Sequence, residues 1–418
     1  MYDIEDFQVE TRYTDNARVC NILLVGVGGG GCNAVSRLMY SDIESADFVA
    51  VNTDAQALLE IKRMAMTRKP NVRVKLLQIG KQLTGGQGAG ADPQMGREAA
   101  EESKEDIRRM LEGIQLCFIT CGMGGGTGTG AAPVIASIAH EMNILTVAVV
   151  TKPFGFEGVP RSVNAEQGII ELNKYIDSLI IVPNDKLDRK SISVAFAQAD
   201  DVLKHAIKGI ADLISKPCLI NLDYADVCRI MKNKGYAHIG IGTGEGSGRA
   251  LTAVKQAVKN DITDTTIYHA TSMIISYQSG SDFNTDEIDN ATDLIRKVLH
   301  DDAEIIFGLD IVPELGDKMN VTVISTGFKL NNGVAQKVEE RGQAYNPIQN
   351  IPAQPVQNVP TQNIQHSQSE PVFTNQSGSF NKEQAQNFMT QRANSSLDIG
   401  DDNRISVDND LVPDFLKN

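Results

Sequence analysis

Gly122-Met123-Gly124-Gly125-Gly126-Thr127-Gly128-Thr129-Gly130 decides how this chain is read. The apolar run Leu116 to Thr120 before it predicts a buried strand. Ala131-Ala132-Pro133-Val134-Ile135-Ala136 after it predicts a helix start, with Pro133 in the first turn, where a missing N–H is harmless. Strand, glycine loop and helix in that order aim backbone N–H groups and a positive helix end at an anion. Glycine lets a phosphate approach without a side chain in the way, and the two threonines add hydroxyl donors. The stretch lacks the Gly-Lys-Ser/Thr ending of the common P-loop. A plain turn needs two or three glycines, whereas six of these nine residues are glycine, which points to a ligand.

Toward the N-terminus, Val19 to Val25 predicts a strand running into Gly26-Val27-Gly28-Gly29-Gly30-Gly31-Cys32-Asn33 and a helix over Ala34 to Tyr40. Taken alone, Gly26-x-Gly28-x-x-Gly31 is a dinucleotide fingerprint, so a dinucleotide-dependent oxidoreductase stands as an alternative. Phe48 to Val51 predicts a strand ending in Asn52-Thr53-Asp54, at the strand end where open α/β sheets bind ligands. Asp54 serves equally well as the N-cap of a helix over Ala55 to Ile61. Residues 62–73 are basic and irregular. Val74 to Ile79 predicts a strand, Gly85 to Pro93 a third glycine-rich loop, and Gln94 to Glu112 a helix. Beyond the opening loop come a helix to Met142 and a strand Ile144 to Val150 that ends in Thr151-Lys152-Pro153-Phe154-Gly155-Phe156-Glu157. A helix after Arg161 and a strand Ser178 to Val182 lead to Pro183-Asn184-Asp185-Lys186. This alternation predicts an α/β fold with a mostly parallel sheet covered on both faces. Three glycine loops at one sheet edge suit a nucleoside di- or triphosphate better than a dinucleotide.

A long amphipathic helix follows, Ala199 to Ser215, with Val202, Ala206, Ile210 and Leu213 on one face for packing between two domains. In Asn221-Leu222-Asp223-Tyr224-Ala225-Asp226-Val227 the two aspartates share a face at a helix start. Acidic residues there also favour the helix dipole, so capping and functional roles are both open. Tyr236 to Gly242 predicts a strand, and Gly242 to Gly248 a turn, because Glu245 would repel phosphate. Helices Ala250 to Val258 and Asp286 to Leu299, with strands Thr271 to Gln278, Glu304 to Ile311 and Met319 to Ser325, complete an α+β unit. Its last two strands read as a hairpin joined at Pro313 to Asp317. After Gly327 the chain turns rich in Gln, Asn, Ser and Pro, too polar to offset the entropy of ordering. It reads as a tether ending in an apolar cluster, Leu411, Val412, Phe415 and Leu416, where a short partner-binding motif would sit.

At 418 residues the chain predicts two or more domains, and its net charge of −14 disfavours a general nucleic-acid binder. The six cysteines have no metal-cage spacing, and reduced thiols suit a cytosolic protein. The acidic N-terminus is neither a signal nor a transit peptide, and no apolar run approaches membrane-spanning length.

Together these stretches resemble the tubulin/FtsZ family of GTPases in its bacterial cell-division branch. The match spans about residues 19–328 and again the last ten. It is carried by Gly26 to Gly31, Asn52-Thr53-Asp54-Ala55-Gln56, Gly88-Ala89-Gly90-Ala91, Gly122 to Gly130, Thr151-Lys152-Pro153-Phe154, Phe156-Glu157-Gly158, Pro183 to Lys186 and Asn221 to Val227, all in family order. The resemblance implies a flexible arm at 1–18, a Rossmann-like GTP-binding domain at 19–198 and a central helix at 199–217. It further implies a smaller α+β domain at 218–329, a disordered linker at 330–407 and a binding peptide at 408–418. It implies that Gly28, Gly29, Gly30, Gly31 and Cys32 cradle the phosphates with Gly124, Gly125, Gly126, Thr127, Gly128 and Thr129. Asn33, Asn52, Asp54, Ala89, Gly90, Ala91, Gly122 and Pro153 would complete the nucleotide site. Glu157 and Arg161 would reach the ribose or its surroundings, Asn184 and Asp200 would read the guanine edge, and Phe196 would stack on the base. Asn221, Asp223 and Asp226 would enter the next subunit's site and complete GTP hydrolysis there. Mg²⁺ would be held mainly through the GTP phosphates, with no side-chain cage.

The family further implies head-to-tail self-assembly in the cytoplasm at the division site. Membrane-tethering and regulatory partners would dock on Leu411, Pro413, Phe415 and Leu416. A non-hydrolysing filament-forming relative is the second alternative. Three features depart from the family pattern: an insertion at 63–73, a short segment between Lys186 and Phe196, and Pro160 beside Arg161.

Overall fold

A computed structural model describes residues 20–43, 45–187, 191–215, 218–220, 222–259, 263, 265, 267–268, 270–297, 299 and 302–328. The N-terminal arm, Asn221, the linker and the C-terminal peptide lie outside the described residues.

The first half alternates apolar strands with helices: β1 (Ile22–Val27), α1 (Gly28–Leu38), β2 (Ala46–Asn52), α2 (Ala55–Thr67) and β3 (Val74–Gln78). Then come α3 (Lys81–Thr84), α4 (Pro93–Glu102), α5 (Lys104–Leu111), β4 (Leu116–Gly122), α6 (Thr127–Glu141), β5 (Leu145–Lys152), α7 (Val159–Leu172) and β6 (Ser178–Pro183). Strands β3-β2-β1-β4-β5-β6 pair in that order, all parallel. Parallel strands buried on both faces must be apolar throughout. β1 and β6 meet that rule with every residue buried. Alternate residues feed two cores: Ile22, Leu24 and Phe118 on one face, Leu23, Val25 and Ile119 on the other.

The long helix α8 (Ile192–Ser215) closes the first core with Leu203, Ala206, Ile207 and Ile210. After it come α9 (Tyr224–Met231), β7 (Gly235–Glu245), α10 (Arg249–Val258), β8 (Ser272–Ser279), α11 (Thr285–Arg296), β9 (Glu304–Ile311) and β10 (Lys318–Thr326). β7 continues the parallel sheet through two pairs, Ser178 with Gly235 and Leu179 with Tyr236. The order then runs β7-β10-β8-β9, giving one sheet of ten strands among the described residues.

Several elements differ from the sequence reading. The Pro313 to Asp317 connection is not a hairpin, because β10 inserts between β7 and β8, antiparallel to both, while β9 pairs parallel with β8. Residues 242–245 extend β7 instead of turning, since the glycines there let α10 lie against the strand. Both glycine runs wind into helices. α1 starts at Gly28 and α6 at Thr127, which leaves Pro133 inside α6, past its first turn. The glycines serve close packing: a Cβ on Gly31 would lie 2.5 Å from the Thr120 carbonyl oxygen, and one on Gly130 1.9 Å from that of Pro93. Helix α2 runs on to Thr67, so only part of 62–73 is irregular. The expected helix at 94–112 breaks at Ser103 into α4 and α5. α8 begins seven residues before Ala199 and so carries Phe196. Pro160 falls in the first turn of α7, where its ring suits the helix start.

Candidate functional site

The parallel strands β1, β4, β5 and β6 end together, and a cleft of about 460 Å³ opens at those ends. Two helix starts face it: Gly29, Gly30 and Asn33 of α1, and Thr127 and Gly128 of α6 with Gly125 and Gly126 just before. The first N–H groups of a helix lack intrahelical partners and carry its positive end, so this end of the cleft suits an anion. Gly29 and Gly125 have open space where a Cβ would stand, so a ligand can approach the backbone there. The loop between is tightly held. Gly124 sits at φ +96°, its N–H donates to Thr129 Oγ1 at 2.8 Å, and the Met123 N–H donates to the Thr151 carbonyl at 2.9 Å. Thr127 Oγ1 shares a hydrogen bond of 2.7 Å with Thr53 Oγ1.

The other end of the cleft mixes apolar walls with a few polar groups. Val149, Val182, Ala199 and Leu203 line it. Asn184 is buried there, and its Oδ1 has no hydrogen-bond partner among the described residues. Phe196 is 40% exposed, with its ring centroid 6.0 Å from that of Phe154 at a steep angle. Asp200 is buried and takes a forked contact from Arg37, including Arg37 Nη2 to Oδ1 at 3.0 Å. Burial pushes the Asp200 carboxyl up from its usual range, and the guanidinium opposes that. Glu157 and Arg161 pair at 2.8 Å on the rim, and Glu157 also accepts from the Phe154 N–H at 2.8 Å. Apolar walls with a few converging polar groups are the usual make-up of a small-molecule site. An unsatisfied buried amide oxygen adds a demand for a donor from the ligand.

Of the residues singled out from sequence, Gly29, Gly30, Asn33, Ala91, Gly122, Gly125, Gly126, Thr127, Gly128, Pro153, Glu157, Arg161, Asn184, Phe196 and Asp200 line this cleft. Others stand behind it. A Cβ on Gly28 would lie 2.7 Å from the Gly128 nitrogen, and Gly31 packs on Thr120. Cys32 is buried, its thiol pushed up to about 12 mainly by desolvation, and it accepts from Asn52 Nδ2 at 3.6 Å. Asp54 caps α2, accepting from Gln56 N at 2.8 Å, so of its two roles the structure places the cap. Ala89 and Gly90 lie outside the lining, with Ala89 packed against Gly126. Gly124 and Thr129 brace the loop from within. Arg37, Thr120 and Thr151 line the cleft without having been anticipated. The signal for Arg37 was its place one turn after Asn33 on the same face of α1.

Asp223 and Asp226 are elsewhere. Asp223 caps α9, accepting from Asp226 N at 2.8 Å, and Asp226 accepts from Arg229 Nη2 at 3.1 Å. Tyr224 Oη beside them donates to the Gln115 carbonyl at 2.7 Å. Gln115 precedes β4, whereas the cleft lies at the end of β4. Seven strand residues at roughly 3.3 Å each separate the two ends, roughly 20 Å. The carboxylates and the cleft therefore occupy opposite edges of one sheet.

Residues 21–191 match the model of the Tubulin/FtsZ family, GTPase domain, and residues 235–329 that of the FtsZ family, C-terminal domain. The cell division protein FtsZ of Buchnera aphidicola is 46% identical over 319 residues, covering 75% of this chain and 80% of that protein. The cell division protein FtsZ of Wigglesworthia glossinidia brevipalpis is 46% identical over 316 residues, covering 74% and 80%. Among solved structures, an empty FtsZ dimer from M. jannaschii matches with a TM-score of 0.67 at 41% identity, covering 74% of this chain and 89% of that one.

Proposed function

This chain belongs to the tubulin/FtsZ family, and on that premise we propose how its two sheet edges divide the work. It is a GTPase of cell division that binds GTP and GDP and polymerises with copies of itself. The oxidoreductase reading of Gly26 to Gly31 is not supported. Gly28 and Gly31 serve backbone packing instead.

In our reading the two helix starts hold the GTP phosphates, with Gly29 and Gly125 giving the closest approach. Asn184, Asp200 and Phe196 take the base, and Glu157 with Arg161 flank the ribose. A buried carboxylate accepts from the N–H groups of a guanine edge, and the Asn184 amide donates or accepts beside it. Asp223 and Asp226 act in trans: a head-to-tail neighbour brings them to the phosphates, where they orient the attacking water. Phosphoryl transfer draws most of its catalysis from such positioning. The observation that carries this reading is the separation of cleft and α9 on opposite edges of the sheet, which only a second subunit can bridge. When bound, Mg²⁺ would be held mainly by the phosphates and would offset their charge. The C-terminal segment at 408–418, with Leu411, Pro413, Phe415 and Leu416, docks tethering and regulatory proteins, and the protein works in the cytoplasm at the division site.

Sedimentation with GTP and with GDP, with phosphate release read on the same samples, tests the reading. We expect GTP-dependent pelleting that accompanies phosphate release. Asp226→Ala should keep GTP binding and pelleting and lose most of the turnover. Parental turnover by that variant at polymerising concentrations would sink the trans assignment.

A further inference from the structure

Asp226 is only the middle member of a series on α9. Asp223, Asp226 and Arg229 follow at three-residue spacing, so they lie along one side of the helix. Arg229 Nη2 donates to Asp226 Oδ1 at 3.1 Å, and its Nε lies 2.7 Å from Glu304 Oε1 at the start of β9. The helix beneath is pinned at both ends. Tyr224 Oη donates to the Gln115 carbonyl, Ser178 Oγ to that of Met231 and Thr326 Oγ1 to that of Ile230, each at 2.7 Å. With the backbone held from β6 and β10, the half-buried carboxylate's direction is left to its side-chain partners. Arg229 restrains it, and Glu304 restrains Arg229.

We propose that Arg229 is a positioning residue for GTP hydrolysis: braced by Glu304, it fixes the Asp226 carboxylate in the orientation it presents to the neighbouring subunit's nucleotide. This rests on the trans assignment of Asp226 made above. Arg229 is exposed at 58% and Asp226 half-buried at 34%, and pairs so open to solvent contribute little to stability. Its value is geometric. A planar guanidinium forks between two carboxylates and holds both directions, which a point charge on a flexible stem does less well. Its charge also lessens the repulsion between Asp226 and the phosphates as subunits meet.

The test compares Arg229→Ala, Arg229→Lys, Glu304→Gln and Asp226→Ala with the parent at equal amounts of sedimented polymer. Arg229→Ala should lower kcat about tenfold, less than the hundredfold that a 1 Å misplacement can cost. Its GTP affinity, critical concentration and thermal midpoint should stay at parental values. Arg229→Lys should recover part of the loss. Glu304→Gln, which leaves Arg229 in place, should fall between Arg229→Ala and the parent. Arg229→Ala added to Asp226→Ala should have no further effect, because the two act as one unit. Parental kcat in Arg229→Ala and Glu304→Gln, or a full additive loss in the double variant, would overturn the proposal. If Asp226→Ala itself turns over GTP like the parent, the trans assignment fails first; if it is inactive while Arg229→Ala is parental, only the role of Arg229 fails.

Discussion

Two glycine-rich runs, each beside a strand and a helix, have nearly the same composition and opposite uses. In Gly122 to Gly130, Gly125 has open space where a Cβ would stand and faces the cleft. In Gly240 to Gly248, a Cβ on Gly240, Gly242 or Gly244 would come within 1.9 to 2.0 Å of the carbonyl oxygens of Ala257, Ala253 or Arg249. The first run leaves room for a ligand; the second lets α10 lie directly on β7. Gly130 shows the second use inside the first run, with its missing Cβ against Pro93. Glycine content alone therefore does not mark a phosphate site. What stands opposite the absent side chain does.

Substitution should separate the two uses. The largest effect is expected at Gly242→Ala, because the obstructing atoms are backbone and cannot turn aside. Overpacking there costs about 3 kcal/mol, a drop in Tm of about 5 °C for a body of this size. A parental Tm by calorimetry would show that α10 can move off the strand. Gly125→Ala comes next: Tm should hold while GTP affinity falls about a hundredfold, ~2.7 kcal/mol, by equilibrium titration. Parental affinity would mean that the open backbone at Gly125 is not where phosphate sits.

The smallest effect is a pH response in the second region. His238, two residues before Gly240, is buried, and its imidazole is pushed down to about 4 chiefly by desolvation, opposed by a hydrogen bond that the ring donates to the Thr265 backbone and aided by the charge of Lys186. A folded value below the unfolded 6.5 means that the neutral form stabilises the fold. That stability is full above pH 6.5 and is lost as pH falls toward 4. Between pH 7 and pH 5.5 the loss should be about 1 kcal/mol in urea unfolding, and His238→Asn should flatten the slope. An unchanged slope in the variant would place the acid response elsewhere.

The parallel half of the fold was legible because strands buried on both faces must be apolar nearly end to end, as Ile22–Val27 and Leu179–Pro183 are. The helix starts were not. Glycine disfavours helix by about 1 kcal/mol per residue, yet the packing of Gly31 and Gly130 overrides that preference. The antiparallel half misled for another reason: β9 and β10 adjoin in sequence, but which strands pair is decided by distant contacts with β7 and β8. In the cleft, the open glycines, Asn184, Phe196 and Asp200 could be named from sequence, helped by the family pattern. Arg37 on Asp200 and Glu304 on Arg229 could not, because side chains meeting across elements leave no local trace, whereas Arg229 on Asp226 follows from their three-residue spacing on α9.

We propose that one active site is built from two subunits. Phosphate release per molecule, followed from well below to well above the assembly threshold, tests it most directly. Specific activity should be near zero at low concentration and rise to a plateau as polymer forms. A constant specific activity across that range would contradict it, since each chain would then hydrolyse GTP alone.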